Sequence, residues 1–427
     1  MQPMQPMHNI PARGGIDYDE SPFLAIWEIT QSCDLACKHC RAAAQPIPHP
    51  DELTHEEGKA LIDQIADMHI PIFVFTGGDP LKRKDVFELI RYAAGKGVQV
   101  AVTPSATPLL TREQIFKMKE AGVVRLGISL DGSTPEIHDA FRGLPGAWAR
   151  TIQAIEWAGE AGIPIQVHTT ISRHNANDLD NLCNLFEKLA IVMWNVFFLV
   201  PVGRGQLDDL LSGEEFEQVF GKIYELSRRA NFQIKTTEAM HYRRYLLQHN
   251  LEEKKMGHGH GHPGAALKGH DFSRAENSAK NNEGALAPAY EPGAPTSDGQ
   301  TRAMSWATRR VNDGKGFVFI SHMGNVYPSG FLPIHAGNIR ETPLSEIYRN
   351  APIFKALRDT KRLEGKCGAC EYNEICGGSR ARAYALTGDP LAAEPCCIYQ
   401  PKNWDPEREQ TAEAFKQPLP VGTLVTL

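Results

Sequence analysis

Between Phe23 and about Ile234, short β-rich runs alternate with helical patterns, which restricts this part of the chain to repeated βα units around a parallel sheet. Strands are predicted at Leu24 to Thr30, Ile70 to Thr76, Val98 to Thr103, Val123 to Leu130, Ile163 to Ile171 and Met193 to Val200. Between them, stretches such as Thr54 to Asp67 place Leu61, Ile62 and Ile65 at helical spacing. Six such units predict an α/β fold, a partial (β/α)6 barrel two units short of the closed eightfold form.

At 427 residues the chain exceeds what one domain of ~150 residues would need, so a second folded unit is expected. The reading divides it into an N-terminal tail over 1–20, the barrel over 21–249, a linker over 250–305, a cysteine-rich module over 306–405 and a C-terminal tail over 406–427. The linker is rich in Gly, Pro, Ala, Ser, Asn and His and too poor in large apolar residues to build a core. Its alternating run from Gly257 to His262 reads as a solvated Gly-rich tract. Beyond it, Phe317 to Ser321 and Asn325 to Tyr327 read as a hairpin around Met323-Gly324.

A formal net charge of -6 with no basic block in the folded parts offers nucleic acid no electrostatic footing. The N-terminal residues lack a basic and an apolar region, so no secretory signal is expected. The apolar run Leu189 to Val202 is shorter than the ~20 residues of a membrane helix and is broken by Asn195 and Pro201. A cytoplasmic protein without a membrane span is the expectation.

Nine cysteines in a reducing compartment point to metal chemistry rather than disulfides. Cys183 falls with Leu179, Leu182 and Phe186 on an apolar helix face and reads as core. Cys33, Cys37 and Cys40 follow the first strand on one loop, at the carboxyl end where barrel enzymes keep their chemistry. Three soft thiolates suit a cubane iron-sulfur cluster, and the missing fourth leaves one iron open to a ligand. The alternative is zinc held by the same cysteines and His39, which would be four-coordinate and closed.

The Cys-x3-Cys-x2-Cys spacing, with His39 in the aromatic-type position before the last cysteine, resembles the signature of the radical S-adenosylmethionine superfamily. The resemblance implies a 4Fe-4S cluster that binds S-adenosylmethionine and reduces it to a 5'-deoxyadenosyl radical, with an electron donor such as ferredoxin or flavodoxin. It also implies cofactor contacts from Gly77, Gly78 and Asp79 in Thr76-Gly77-Gly78-Asp79-Pro80, from Ser129 and Asp131 after the fourth strand, and from Arg142. Thr103, Ser105 and Thr170 lie at neighbouring strand ends, and Pro201 to Gly205 resembles the family's adenine-side loop. Read alone, the glycine motif is a turn, Ser129 to Gly132 is another, and Arg142 is a surface ion pair.

Cys367, Cys370, Cys376 and one of Cys396 and Cys397 offer four thiolates for a closed site, either a cluster or a zinc ribbon. The arrangement resembles the SPASM or twitch module that carries auxiliary clusters. Because Arg380 and Ser329 stand where that module places further cysteines, one auxiliary 4Fe-4S cluster is expected, with Cys397 as its last ligand. Segments including Lys235 to Arg244 and Phe319 to Gly324 resemble radical enzymes of the alternative haem and haem d1 pathways, which implies a carboxylate-bearing tetrapyrrole substrate. A peptide, the substrate of SPASM maturases, is the alternative, and a non-catalytic iron-sulfur or zinc protein is a third. On the tetrapyrrole reading, Arg243 and Arg244 would pair with propionates and His241 would approach the macrocycle metal.

Overall fold

The computed structural model describes residues 16–255 and 310–405. The chain runs β1 (Leu24–Glu28), α1 (His55–Asp67), β2 (Ile72–Thr76), α2 (Val86–Gly95), β3 (Gln99–Val102), α3 (Arg112–Ala121) and β4 (Val123–Ser129). It continues through α4 (Pro135–Arg142), α5 (Ala147–Glu160), β5 (Ile165–Ile171), α6 (Leu179–Phe186), β6 (Met193–Phe198), α7 (Gly213–Arg229), β7 (Gln233–Thr237) and α8 (Tyr242–Lys255). Strands β8 (Phe317–Ile320), β9 (Asn325–Tyr327) and β10 (Gly337–Asn338) follow, with short helices to Thr387. Most of the stretch read as a linker, including its Gly-His run, lies outside the described residues.

Strands β1 to β7 pair in parallel in chain order, so the six expected βα units form and are extended by a seventh strand. Sequence patterning missed β7 because only Ile234 of Gln233-Ile234-Lys235-Thr236-Thr237 is buried, leaving no apolar run to mark it. The predicted hairpin forms from β8 and β9, and β8 also pairs in parallel with β1, Leu24 opposite Phe317 through Trp27 opposite Ile320. The start of the cysteine-rich module therefore extends the barrel's own sheet.

The strands bury alternate residues against the helices: Trp27, Phe73, Phe75, Val100, Val102, Leu126, Ile128, Val167, Trp194 and Val196 are fully buried. Removing each large side chain from water stabilises the fold by ~1.5–3 kcal/mol. Trp27 stacks on Phe73 at 6.3 Å. Helices α1 and α7 begin with reciprocal caps, Thr54 with Glu57 and Ser212 with Glu215, which satisfy N–H groups the helix cannot. Cys183 is buried with Leu179, Leu182 and Phe186, and burial pushes its thiol up to about 12.

The opposite, concave face carries polar side chains: Arg125 and Ser129 on β4, Gln166, His168 and Thr170 on β5, Lys235 and Thr237 on β7. A register shift between β3 and β4 leaves Val124 half exposed and sets Arg125 opposite Ala101. A bulge of this kind re-aims a side chain, and it turns Arg125 to the same side as Gly127 and Ser129.

Candidate iron-sulfur and cofactor site

The loop after β1 is pinned at both ends. Cys33 N–H donates to the Gln45 carbonyl at 2.8 Å, Lys38 N–H to the Phe141 carbonyl at 3.0 Å, and Arg204 N–H to the Cys40 carbonyl at 2.9 Å. Cys33 and Cys37 are buried with Leu35, and Cys40 packs beside them. Burial raises the Cys33 and Cys37 thiols, so the deprotonated form needs a positive partner. A cluster's irons would supply it, as Arg142 does in part.

Arg142, at the end of α4, reaches within 3.7 Å of Cys37 Sγ. Its Nε and Nη2 donate to Asp131 Oδ2 at 2.6 and 2.5 Å, while Asp131 Oδ1 accepts from Thr170 N–H at 2.7 Å. Asp131 is fully buried and both its carboxylate oxygens are engaged, so in this structure it anchors Arg142 beside the thiolates. Asn175 clamps the same turn, donating to the Asp131 and Thr170 carbonyls at 2.9 Å.

Gly77 and Gly78 bring their loop hard against the cysteine loop. A Cβ on Gly78 would lie 2.3 Å from the Ser32 carbonyl oxygen and one on Gly77 2.6 Å from that of Thr30. Neither has a positive φ; what their bareness permits is direct contact between this loop and the cysteine loop, sealed by Gly78 N–H on Thr30 and Asp79 N–H on Ser32. Asp79 is buried and accepts from Thr107 Oγ1 at 2.8 Å and Leu81 N–H at 3.2 Å. Ser105 donates to the Gly78 carbonyl and sits 3.5 Å from Cys33 Sγ.

His39 stacks on Phe141 at 4.3 Å with its rings within 12° of parallel. Its imidazole is held neutral by burial and by Arg142 and Arg204. Ser129, partly exposed, closes β4 opposite His168. Gly203, with φ +60°, lets the loop after β6 lie against Cys40 and Arg41, and it brings in Arg204, whose Nε and Nη2 are buried without a protein partner. The loop's resemblance marked this position, but only the fold shows an unpaired guanidinium beside the cysteines.

In the second set, Cys367, Cys370, Cys376 and Cys397 line one cavity. Cys396 does not; its Sγ is 3.9 Å from the Leu211 carbonyl and packs in the core. Arg380, at the expected position of a further cysteine, is buried, donates to the Pro390 and Ala392 carbonyls and lies 3.8 Å from Cys367 Sγ. Ser329, likewise buried, caps Phe331 N–H. Among the described residues no three His, Cys, Asp or Glu side chains are grouped to hold a single metal ion. A cubane does not require such convergence, because each cysteine binds its own iron.

The three residues expected to meet substrate have other surroundings. Arg243 donates to the Ile375 and Val311 carbonyls at 2.9 and 2.6 Å, and Arg244 pairs with Glu217 and Gln248. His241 faces the four-cysteine cavity. Arg243 and Arg244 lie in the first turn of α8; Arg243 ties it to the cysteine module through Ile375 and Val311, and Arg244 ties it to α7 through Glu217.

Sequence patterning also missed two buried constellations. Glu28 accepts from Arg41 at 2.6 Å and is 2.9 Å from His322 Nδ1, tying the cysteine loop to the turn after β8. Arg382 and Glu394, both fully buried, pair at 2.9 Å. A lone charged residue at the end of an apolar strand was the one available hint of the first, and nothing in local spacing marks the second.

A parallel α/β sheet carries a three-cysteine loop at its carboxyl end and a four-cysteine cavity beyond it, an arrangement suited to iron-sulfur clusters. Residues 27–186 match the Radical SAM superfamily model, and residues 312–371 match SPASM, an iron-sulfur cluster-binding domain. The AdoMet-dependent heme synthase of Nitratidesulfovibrio vulgaris is 40% identical over 90% of this chain and 94% of its own length. The protein of the same name from Methanosarcina barkeri is 41% identical over 89% and 97%. Streptococcus suis SuiB bound to S-adenosylmethionine shares the fold, with a TM-score of 0.63 at 14% identity over 89% of this chain and 78% of that one. The chain belongs to the radical SAM superfamily, in its SPASM-bearing branch. It is an enzyme in which a 4Fe-4S cluster supplies the electron that cleaves S-adenosylmethionine to a 5'-deoxyadenosyl radical. Among the described residues no helix is long and apolar enough to cross a membrane.

Proposed function

We propose that this enzyme acts on an iron tetrapyrrole and decarboxylates its propionate side chains. The observation that carries the reading is the charge of the concave face. Arg125 on β4 and Lys235 on β7 place two cationic side chains on that face, half-buried between the strands. Of the acids at the strand ends, Glu28 and Asp131 are paired with Arg41 and Arg142, while Asp79 and Glu238 are held by hydroxyl and N–H groups. Positive charge of this kind favours a polyanionic guest, and guanidinium matches carboxylate. The 40% identity to a heme synthase over nearly the whole chain supports the same substrate class.

In the reaction, a hydrogen atom leaves the propionate carbon next to the macrocycle and forms 5'-deoxyadenosine. The bond to the carboxylate then breaks, carbon dioxide leaves, a vinyl group forms, and one electron passes to a one-electron acceptor such as an iron-sulfur cluster. Cys33, Cys37 and Cys40 are assigned to the catalytic cluster, and Cys367, Cys370, Cys376 and Cys397 to one auxiliary cluster. His39, Gly77, Gly78, Asp79, Ser129, Asp131 and Arg142 form or support the cofactor site. A ferredoxin or flavodoxin in the cytoplasm supplies the reducing electron.

Incubation of the reduced enzyme with S-adenosylmethionine and iron coproporphyrin is expected to yield products lighter by one and then two carboxyl losses, read by mass. No change in mass, together with modification of a small peptide encoded beside the gene, overturns the tetrapyrrole reading. Asp131→Asn is expected to weaken S-adenosylmethionine binding by ~1–3 kcal/mol, because Arg142 loses its buried counter-charge, with iron content unchanged. Calorimetric titration against wild type checks it, and equal affinity removes Asp131 and its arginine from the cofactor site.

A further inference from the structure

We propose that His241 donates an N–H···S hydrogen bond to the auxiliary cluster and holds its reduction potential up. The inference rests on the assignment of Cys367, Cys370, Cys376 and Cys397 to that cluster. His241 is 1% exposed, lines the cavity those four cysteines form, and has no hydrogen-bond partner at either ring nitrogen. Its ring is held in place by Phe216 and Phe220, with centroids at 5.2 and 4.8 Å. In either protonation state the imidazole carries at least one N–H to donate.

A buried N–H without an acceptor is costly, and native structures seldom leave one. Two other cationic donors line the cavity and are partly or wholly engaged, Arg244 Nε alone remaining buried without a partner. Lys366 donates to the Cys397 carbonyl, and Arg244 donates to Glu217 and Gln248 and lies over Tyr399 at 5.3 Å. The carboxylate of Glu394 in the same wall is taken by Arg382 and by the Ser379 and Cys396 N–H groups. Neither ring nitrogen of His241 meets a protein acceptor in this structure, and cluster sulfur is an acceptor that the four cysteines would bring there. Hydrogen bonds to sulfur stabilise the reduced, more negative form of a cluster and raise its potential.

The test uses the full chain with Cys33, Cys37 and Cys40 replaced by Ala, so that one cluster gives the signal. Iron and sulfide counts and an electron paramagnetic resonance signal in this background check the auxiliary cluster itself. Its absence defeats that assignment, and with it this inference, before His241 is touched. With the cluster present, His241→Leu is expected to keep its iron and shift the midpoint so that the reduced fraction falls at least tenfold at a given potential. Tenfold corresponds to 59 mV for one electron. His241→Gln, which retains an N–H, is expected to recover most of the shift. If His241→Leu loses its iron, His241→Phe preserves the ring packing without a donor and is titrated instead. An unchanged midpoint in a loaded Leu or Phe variant, or loss of iron from the Leu, Phe and Gln variants alike, overturns the proposal.

Discussion

Replacing Cys33, Cys37 and Cys40 together with Ala is expected to abolish cleavage of S-adenosylmethionine while leaving about half of the wild-type iron. The cysteine loop is held by backbone hydrogen bonds to Gln45, Phe141 and Arg204 that do not involve the thiols, so its path should survive. Cys33 and Cys37 are buried, and Ala fills their places with a small loss of apolar volume. The four-cysteine cavity is built from residues 366–401 and the start of α8, and it shares no ligand with the first site. Anaerobic iron and sulfide counting, with chromatography of 5'-deoxyadenosine after reduction, reads both outcomes. Loss of all iron would mean that the two sites load as one, and retained cleavage would place the reactive cluster elsewhere.

Arg382→Met should lower the stability of the folded protein by ~3–5 kcal/mol, the cost of stripping one partner from a buried ion pair. Arg382 is fully buried in the helix Arg380–Thr387 and donates to Glu394 at 2.9 and 3.0 Å, to the Leu199 carbonyl at 3.2 Å and to the Glu238 carbonyl at 2.6 Å. It therefore joins the cysteine module to the ends of β6 and β7. Its guanidinium also lies 4.7 Å from the centre of Phe216, a contact that Met would keep in part. Denaturant unfolding of the anaerobic protein gives the magnitude, and a loss under about 1 kcal/mol would reduce the pair to an ordinary surface contact.

The same pair gives the protein an acid limit. Burial acts to raise the Glu394 carboxyl, but Arg382, then His241, hold it at about 2. Because the folded value lies below the ordinary carboxylate value of about 4.3, the pair's contribution is complete above that pH. It is lost as pH falls toward 2. In Arg382→Met this part of the acid dependence is expected to disappear, since the partner that lowers the carboxyl is gone.

Periodicity and spacing reached far in this chain because the barrel's rules are local. Alternation of apolar runs located β1 to β6, and Cys33-x3-Cys37-x2-Cys40 marked the reactive loop from nearest-neighbour spacing alone. β7 escaped because it is half polar, its Gln233, Lys235, Thr236 and Thr237 being only partly buried. The resemblance led to Gly77-Gly78-Asp79, yet the physical reason for the glycines lies in the backbone of Thr30 to Ser32, distant in sequence and adjacent in space. His241, Arg243 and Arg244 were legible as a chemically active cluster, but their partners come from residues 217, 248, 311 and 375, which no local pattern connects to them.

By itself, then, the sequence determined the parallel α/β framework and the two cysteine sets, because strand alternation and ligand spacing are written within a few residues of one another, and the resemblance those motifs carry implied the radical chemistry. Only the tertiary structure decided that Cys396 packs toward Leu211 while Cys397 lines the cavity, that Asp131 holds Arg142 against Cys37, and that Arg380 and Arg382 are buried braces. Those outcomes depend on which side chains meet across the sheet and the module, and on which buried charges find a counter-charge there. Spacing along the chain does not encode either of these.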